Sequence, residues 1–227
     1  MCIIRLNNWY GRYGNNIIQL AAILKKAIKT NAHYLDVPKG KLIKSVKLEG
    51  GCKCSKIKTF SIGLDPIDME SWLCLQKYYG KDIKKRDSRD LLIHVRSGDI
   101  FSSNPHANYY PPGLEYYKWV IGQEDWKSIT FLLEDSSHPL EKEFLSLGVV
   151  KKLGFAESLE EIMAHDALCI SMGSFPFAGY LLSKKPAKRI YITSDWKYWF
   201  HPSTEVKIWE MPEHGPWLNS ESQRLEL

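Results

Sequence analysis

An arginine that closes an apolar run is the first residue of this chain whose type and place suggest chemistry. In Leu91-Leu92-Ile93-His94-Val95-Arg96-Ser97-Gly98-Asp99, a strand of period two sets His94 and Arg96 on one face and Ile93 and Val95 on the other. A guanidinium is costly to desolvate unless an anion meets it, and its planar fork fits a phosphate through two parallel bonds. The competing partner is an internal carboxylate, Asp99 or Glu134. A second anion seat is suggested by Ser171-Met172-Gly173-Ser174-Phe175, small residues placed between an apolar run and a helix opened by Pro176. Backbone can approach a ligand closely there, and a helix amino terminus favours negative charge. The plainer alternative is a helix cap by Ser174. Glu134-Asp135 end a further run; such a carboxylate accepts hydrogen bonds from N1 and the amino group of guanine, or caps the next helix.

Other patterns narrow the chemistry. Gly11-Arg12-Tyr13-Gly14-Asn15 is read as a turn, and it lacks the third glycine of the dinucleotide fingerprint, which argues against a nicotinamide cofactor. Metal-dependent transferases use closely spaced carboxylates such as Asp-x-Asp. The nearest approach is Asp68-Met69-Glu70, placed on a helix face. No Walker loop, nucleophile-elbow serine or zinc-protease helix occurs. A departing diphosphate is therefore expected to be neutralised by arginine and backbone dipoles, with no metal and no cofactor.

These residues need a scaffold that brings strand ends together. Short apolar runs alternate with helical stretches, the pattern of an α/β fold. Ile17, Ala21, Leu24 and Ile28 recur at helical spacing, which predicts a helix over 16–30 between strands at the amino terminus and at 33–37. Small strands near 44–48 and 56–62 and a helix over 66–79 follow. The charge run from Lys81 to Asp90 marks the boundary between two lobes, 1–85 and 86–227. Beyond it strands are predicted at 91–95, 129–133, 149–153, 167–170 and 189–193, with helices near 114–121, 138–147, 158–165 and 176–183. Strands joined by helices build a parallel sheet, and ligands of such sheets collect at the carboxyl ends of the strands.

Composition agrees with a packed protein. The 227 residues are 44% hydrophobic and 25% charged, enough to bury a core and unlike a disordered chain. Lys and Arg number 31 against 26 Asp and Glu, a formal charge of +5. That mild excess suits an anionic small ligand, and no basic helix or zinc finger supports nucleic-acid binding. No run approaches the roughly 20 apolar residues of a membrane span, so a cytoplasmic protein is expected. The five cysteines include a close pair, Cys52 and Cys54, with no second pair to complete a zinc site; reduced thiols are expected.

Taken in order, Tyr10-Gly11-Arg12-Tyr13-Gly14-Asn15-Asn16, His94-Val95-Arg96-Ser97-Gly98-Asp99, Glu134-Asp135 and Ser171-Met172-Gly173-Ser174-Phe175 resemble the fucosyltransferase superfamily, whose α-1,2-, α-1,6- and protein O-fucosyltransferases share a His-x-Arg core. The resemblance touches 9–37 and 90–183. It implies two Rossmann-like lobes with parallel sheets in glycosyltransferase B organisation, an acceptor-side lobe followed by a nucleotide-sugar-binding lobe. It further implies inverting, metal-independent transfer of L-fucose from GDP-β-L-fucose to a glycan acceptor. Carried over, Arg96 holds the β-phosphate, and His94 and Asp135 contact the nucleoside. Ser171, Gly173, Ser174 and Phe175 cradle the diphosphate, and Gly14 and Asn15 reach the donor or the acceptor hydroxyl. Asp99 is the first choice of general base, with Glu134 and His106 behind it. His106, Tyr109 and Tyr110 are expected on the acceptor, with Trp196, Tyr198 and Trp199 as weaker stacking choices. Two alternatives stay open: the same scaffold with another nucleotide sugar, UDP- or GDP-linked, and a nucleotide-sugar-binding module without catalysis.

Overall fold

The computed structural model describes residues 2–39, 43–51, 56–62, 67–101, 111–194 and 199–210, with the Asp99 side chain set aside. The chain divides into two compact units. Residues 1–82 and 181–184 form the first, and residues 83–180 and 185–227 form the second.

In the first unit, β1 (Ile3–Leu6), α1 (Tyr13–Lys29), β2 (Tyr34–Asp36), β3 (Val46–Lys47), β4 (Ile57–Phe60) and α2 (Met69–Tyr79) follow one another. The sheet order is β3-β2-β1-β4, with β1 parallel to both neighbours and β3 antiparallel to β2. α1 forms because Ile17, Leu20, Ala21, Leu24 and Ala27 all fall on the face that is buried. It begins earlier than the sequence pattern suggests. Gly11 supplies a φ of +68°, Arg12 is extended at the cap position, and the Asn16 N–H already donates to the Arg12 carbonyl. The expected five-residue turn is therefore a tighter one, and Gly14 and Asn15 stand in the first turn of a helix. α2 starts where Asp68 accepts from the Ser71 N–H at 2.8 Å, an ordinary amino-terminal cap. Residues 181–184 join this unit through a parallel bridge between Lys81 and Ser183 and through Gln76 of α2, whose Nε2 donates to the Leu181 carbonyl and, at 3.1 Å, to the Ser183 carbonyl.

The second unit runs β5 (Asp90–Val95), one 3-10 turn (Gly98–Phe101), α3 (Leu114–Ile121), β6 (Ser128–Leu133), α4 (Glu141–Leu147), β7 (Val149–Lys152), α5 (Phe155–Ala164), β8 (Ala167–Ile170), α6 (Ser174–Leu182), β9 (Arg189–Thr193) and β10 (Glu205–Trp209). All six strands are parallel, in the order β10-β9-β8-β5-β6-β7. The chain moves outward from β5 through β6 to β7, then returns to the other side of β5 and moves outward again. That reversal defines the switch point of a doubly wound sheet, between β5 and β8. Both sheet faces are covered, as a parallel sheet requires. Leu91, Ile93 and Val95 point into a core shared with Tyr116 and Tyr117 of α3, Phe131 of β6 and Phe144 of α4. On the opposite face the His94 ring meets Phe175 at the start of α6, 5.9 Å between centroids. Gly179 lets α6 press against α5, since a Cβ there would collide with Ile162. β10 was not expected; Val206 and Ile208 alternate with charged neighbours in a half-exposed edge strand. The described helices include none long and apolar enough to cross a membrane.

Candidate functional site

The strand order brings the segments after β5, β6 and β8 side by side, and serine hydroxyls knit them together. The Arg96 N–H donates to the Ser171 Oγ at 3.1 Å, and the Ser171 N–H donates to the His94 carbonyl at 3.3 Å. These two bonds cross the switch point itself. On the other side of β5, the Ser97 Oγ accepts from the Glu134 and Asp135 N–H groups at 3.0 and 3.1 Å. The Gly98 N–H donates to the Ser137 Oγ at 2.7 Å. Ser137 in turn donates from its N–H and its hydroxyl to the Asp135 Oδ1, at 2.8 and 2.6 Å. Gly98 is there for a physical reason: its φ is +71°, and a Cβ would sit 3.2 Å from the Asp135 Oδ2 and 3.4 Å from the Glu134 Oε2. Gly173, with a φ of +86°, turns the chain into α6, whose amino terminus carries positive partial charge.

The charges are few. Arg96 lies beside Gly173, with its Cδ 3.7 Å from the place a Cβ would occupy, and its Nη1 is 3.3 Å from the Glu134 Oε2. Only 12% of the Arg96 side chain is exposed, against 46% for Glu134. Of the two carboxylates that compete for Arg96 in the sequence, Glu134 is thus in ion-pair range. Burial alone would raise the Asp135 carboxyl; the bonds from Ser137 and Ser97 outweigh it and bring it below the usual carboxylate range. Burial, reinforced by the Arg96 charge, lowers the His94 imidazole to about 3, so it is neutral. Its Nδ1 is buried and makes no hydrogen bond among the described residues. His138 is likewise lowered to about 3 by burial. Its Nδ1 accepts from the Leu140 N–H at 3.1 Å, and its ring packs against Phe101 and Phe144 at 4.8 and 5.0 Å.

Eight of the residues singled out in the sequence, His94, Arg96, Glu134, Asp135, Ser171, Gly173, Ser174 and Phe175, therefore gather at the carboxyl ends of β5, β6 and β8 in the second unit. His94 and Arg96 both look towards the loop that opens α6, through the contacts with Phe175 and beside Gly173. Gly14 and Asn15 belong to the first unit; Gly14 is buried and Asn15 half-buried, its side chain folded over Gly11. The Asp99 side chain, His106, Tyr109, Tyr110, Trp196 and Tyr198 lie outside the described residues, as do Cys52 and Cys54. Trp199 packs edge-on against His201, 6.2 Å between rings. Sequence reasoning gave no role to Ser97, Ser137 or His138. The repeated serines after the strand ends were the available signal, since hydroxyls beside exposed backbone amides serve as local acceptors.

Among the described residues no three His, Cys, Asp or Glu side chains come together in a way that could hold a metal ion. The first unit also has a cavity of about 340 Å³ among Ile28, Ala32, Leu48, Leu73, Cys74 and Tyr78; none of the candidate donor, acceptor or catalytic residues lines it. The chain matches no family model, no curated protein and no solved structure.

Proposed function

We propose that the protein is an inverting glycosyltransferase of glycosyltransferase B organisation that transfers L-fucose from GDP-β-L-fucose to a glycan hydroxyl. The observation that supports this most is the pair of hydrogen bonds across the switch point, which sets the segment bearing Arg96 against the loop that opens α6. A diphosphate placed there would meet a guanidinium and a helix amino terminus together.

The acceptor hydroxyl would attack the anomeric carbon from the face opposite the diphosphate, through an oxocarbenium-like transition state. Negative charge then grows on the diphosphate oxygens. The backbone that carries Arg96 and the loop that opens α6 are tied together beforehand by Ser171, so a guanidinium and a helix dipole already stand near that charge. Neutral His94 offers a hydrogen-bonding nitrogen beside Arg96 without adding a second positive charge. Asp135, kept ionised by Ser137, would accept from the guanine edge. Asp99 remains the first choice of general base, and the acceptor is assigned to His106, Tyr109 and Tyr110.

Two measurements test this. In thermal unfolding with added nucleotides, GDP is expected to stabilise the protein and UDP is not, by about 2.7 kcal/mol at one hundred times the dissociation constant. Equal or reversed preference removes the fucose assignment. With GDP-fucose and a glycan acceptor, Arg96→Ala should lower turnover about 10²-fold, the usual loss of one such donor; near-normal turnover removes Arg96 from the mechanism.

A further inference from the structure

Arg96 already has an anion beside it. The Glu134 Oε2 stands 3.3 Å from the Arg96 Nη1, where charge-assisted bonds of this kind close to about 2.7–2.9 Å when they are strong. The carboxylate is half-exposed while the guanidinium is almost covered. The two carboxylates after β6 are held quite differently. Asp135 is fastened by both donors of Ser137. Glu134 is tied through its backbone N–H, which donates to the Ser97 hydroxyl oxygen, and its carboxylate reaches Arg96. Gly98, with no side chain, faces both carboxylates.

We propose that Glu134 is an internal counter-anion for the second phosphate of the donor: it holds Arg96 in the resting protein, and a nucleoside diphosphate must displace it to bind. This rests on the diphosphate reading given above and names a residue that sets its affinity. Displacement is favoured because a diphosphate brings more charge and a second oxygen to the planar fork. If the carboxylate instead stays, it repels the incoming phosphate across a few ångströms. Either way, the Glu134 charge weakens the hold on a diphosphate. A nucleoside monophosphate, with no phosphate at Arg96, is indifferent to it. The device has a use at the end of the reaction, when GDP is the product: Glu134 returns to Arg96 as the diphosphate leaves.

The test is calorimetric titration of the full chain with GDP, GMP and inorganic pyrophosphate in the presence of EDTA, for the unaltered protein, Glu134→Gln and Glu134→Ala. Glu134→Gln keeps the shape and removes the charge. Both variants should bind GDP and pyrophosphate about fivefold more tightly, the size of one exposed ion pair, while GMP changes less than twofold. Raising salt should shrink the gain. If the unaltered protein binds GDP and neither variant gains, or if GMP gains as much as GDP, the counter-anion role of Glu134 is overturned and the diphosphate site stands. If the unaltered protein binds GDP no better than GMP, the diphosphate reading fails and takes this inference with it.

Discussion

Ser97→Ala is the most exacting substitution for the site described above. Ser97 has no exposed surface, and its hydroxyl oxygen accepts from two successive backbone N–H groups, those of Glu134 and Asp135. Alanine fills nearly the same space and leaves both donors facing an apolar methyl. A buried donor stripped of its acceptor costs about 1–3 kcal/mol; because Glu134 and Asp135 are themselves exposed and both bonds are only partly buried, the pair together sums to about 1–3 kcal/mol. That is a sizeable part of a typical total of about 5–15 kcal/mol. Urea unfolding followed by tryptophan fluorescence reads it directly. With a slope of about 1–3 kcal/mol per molar, the midpoint should fall by about 1 M. Ser146→Ala provides the control, since that exposed hydroxyl only donates to the Glu143 carbonyl one turn earlier; its effect should stay within about 0.5 kcal/mol. If Ser97→Ala unfolds at the same urea concentration as the control, the hydroxyl does not organise the end of β6.

Two further expectations follow from the same loops. His94 and His138 take up a proton near 6.5 in the unfolded chain and only near about 3 in the folded one, so the unfolded state binds more protons between those values. Their contribution is complete above about 6.5 and is lost as pH falls towards 3, at up to about 1.4 kcal/mol per pH unit for each histidine; unfolding midpoints that do not change between pH 7 and pH 5 would contradict the burial of both rings. Gly98→Ala places a Cβ on a residue with φ +71° and 3.2 Å from the Asp135 Oδ2. It should cost about 1–2 kcal/mol and weaken GDP binding in the same calorimetric assay; a neutral result would mean the loop after β5 is free to rearrange.

The sequence made the second unit legible because central strands such as β5 and β8 are apolar on both faces while α5 carries an apolar stripe beside charged residues, so the two periods are easy to tell apart. β5, β6, β8 and β9 fall within a residue of their expected limits. β10 was hidden because Ile208 and Trp209 are adjacent and break its alternation. The first unit was harder. β3 has two residues, too few for any period, and α1 begins before its apolar stripe does. The site was legible as a set of strand terminators and no further. That Glu134 comes within reach of Arg96 depends on a pairing between β5 and β6 that neither segment encodes locally. The same holds for Ser97 and Ser171, whose partners lie in other loops. Likewise, nothing in Leu181–Lys184 announces that it returns to Lys81.

The place of β5 in the sheet bears on how the chain is made. β5 is the first strand of its sheet to leave the ribosome, yet one of its two neighbours is β8, which follows only after two more strands and three helices have been synthesised. Until then a largely apolar strand stands with one row of amides and carbonyls unmatched, the kind of edge on which nascent chains stick to each other. A fragment ending before Ala167 keeps that row open for good, and the loop of Ser171 that meets Arg96 follows directly on the strand that closes the sheet around β5.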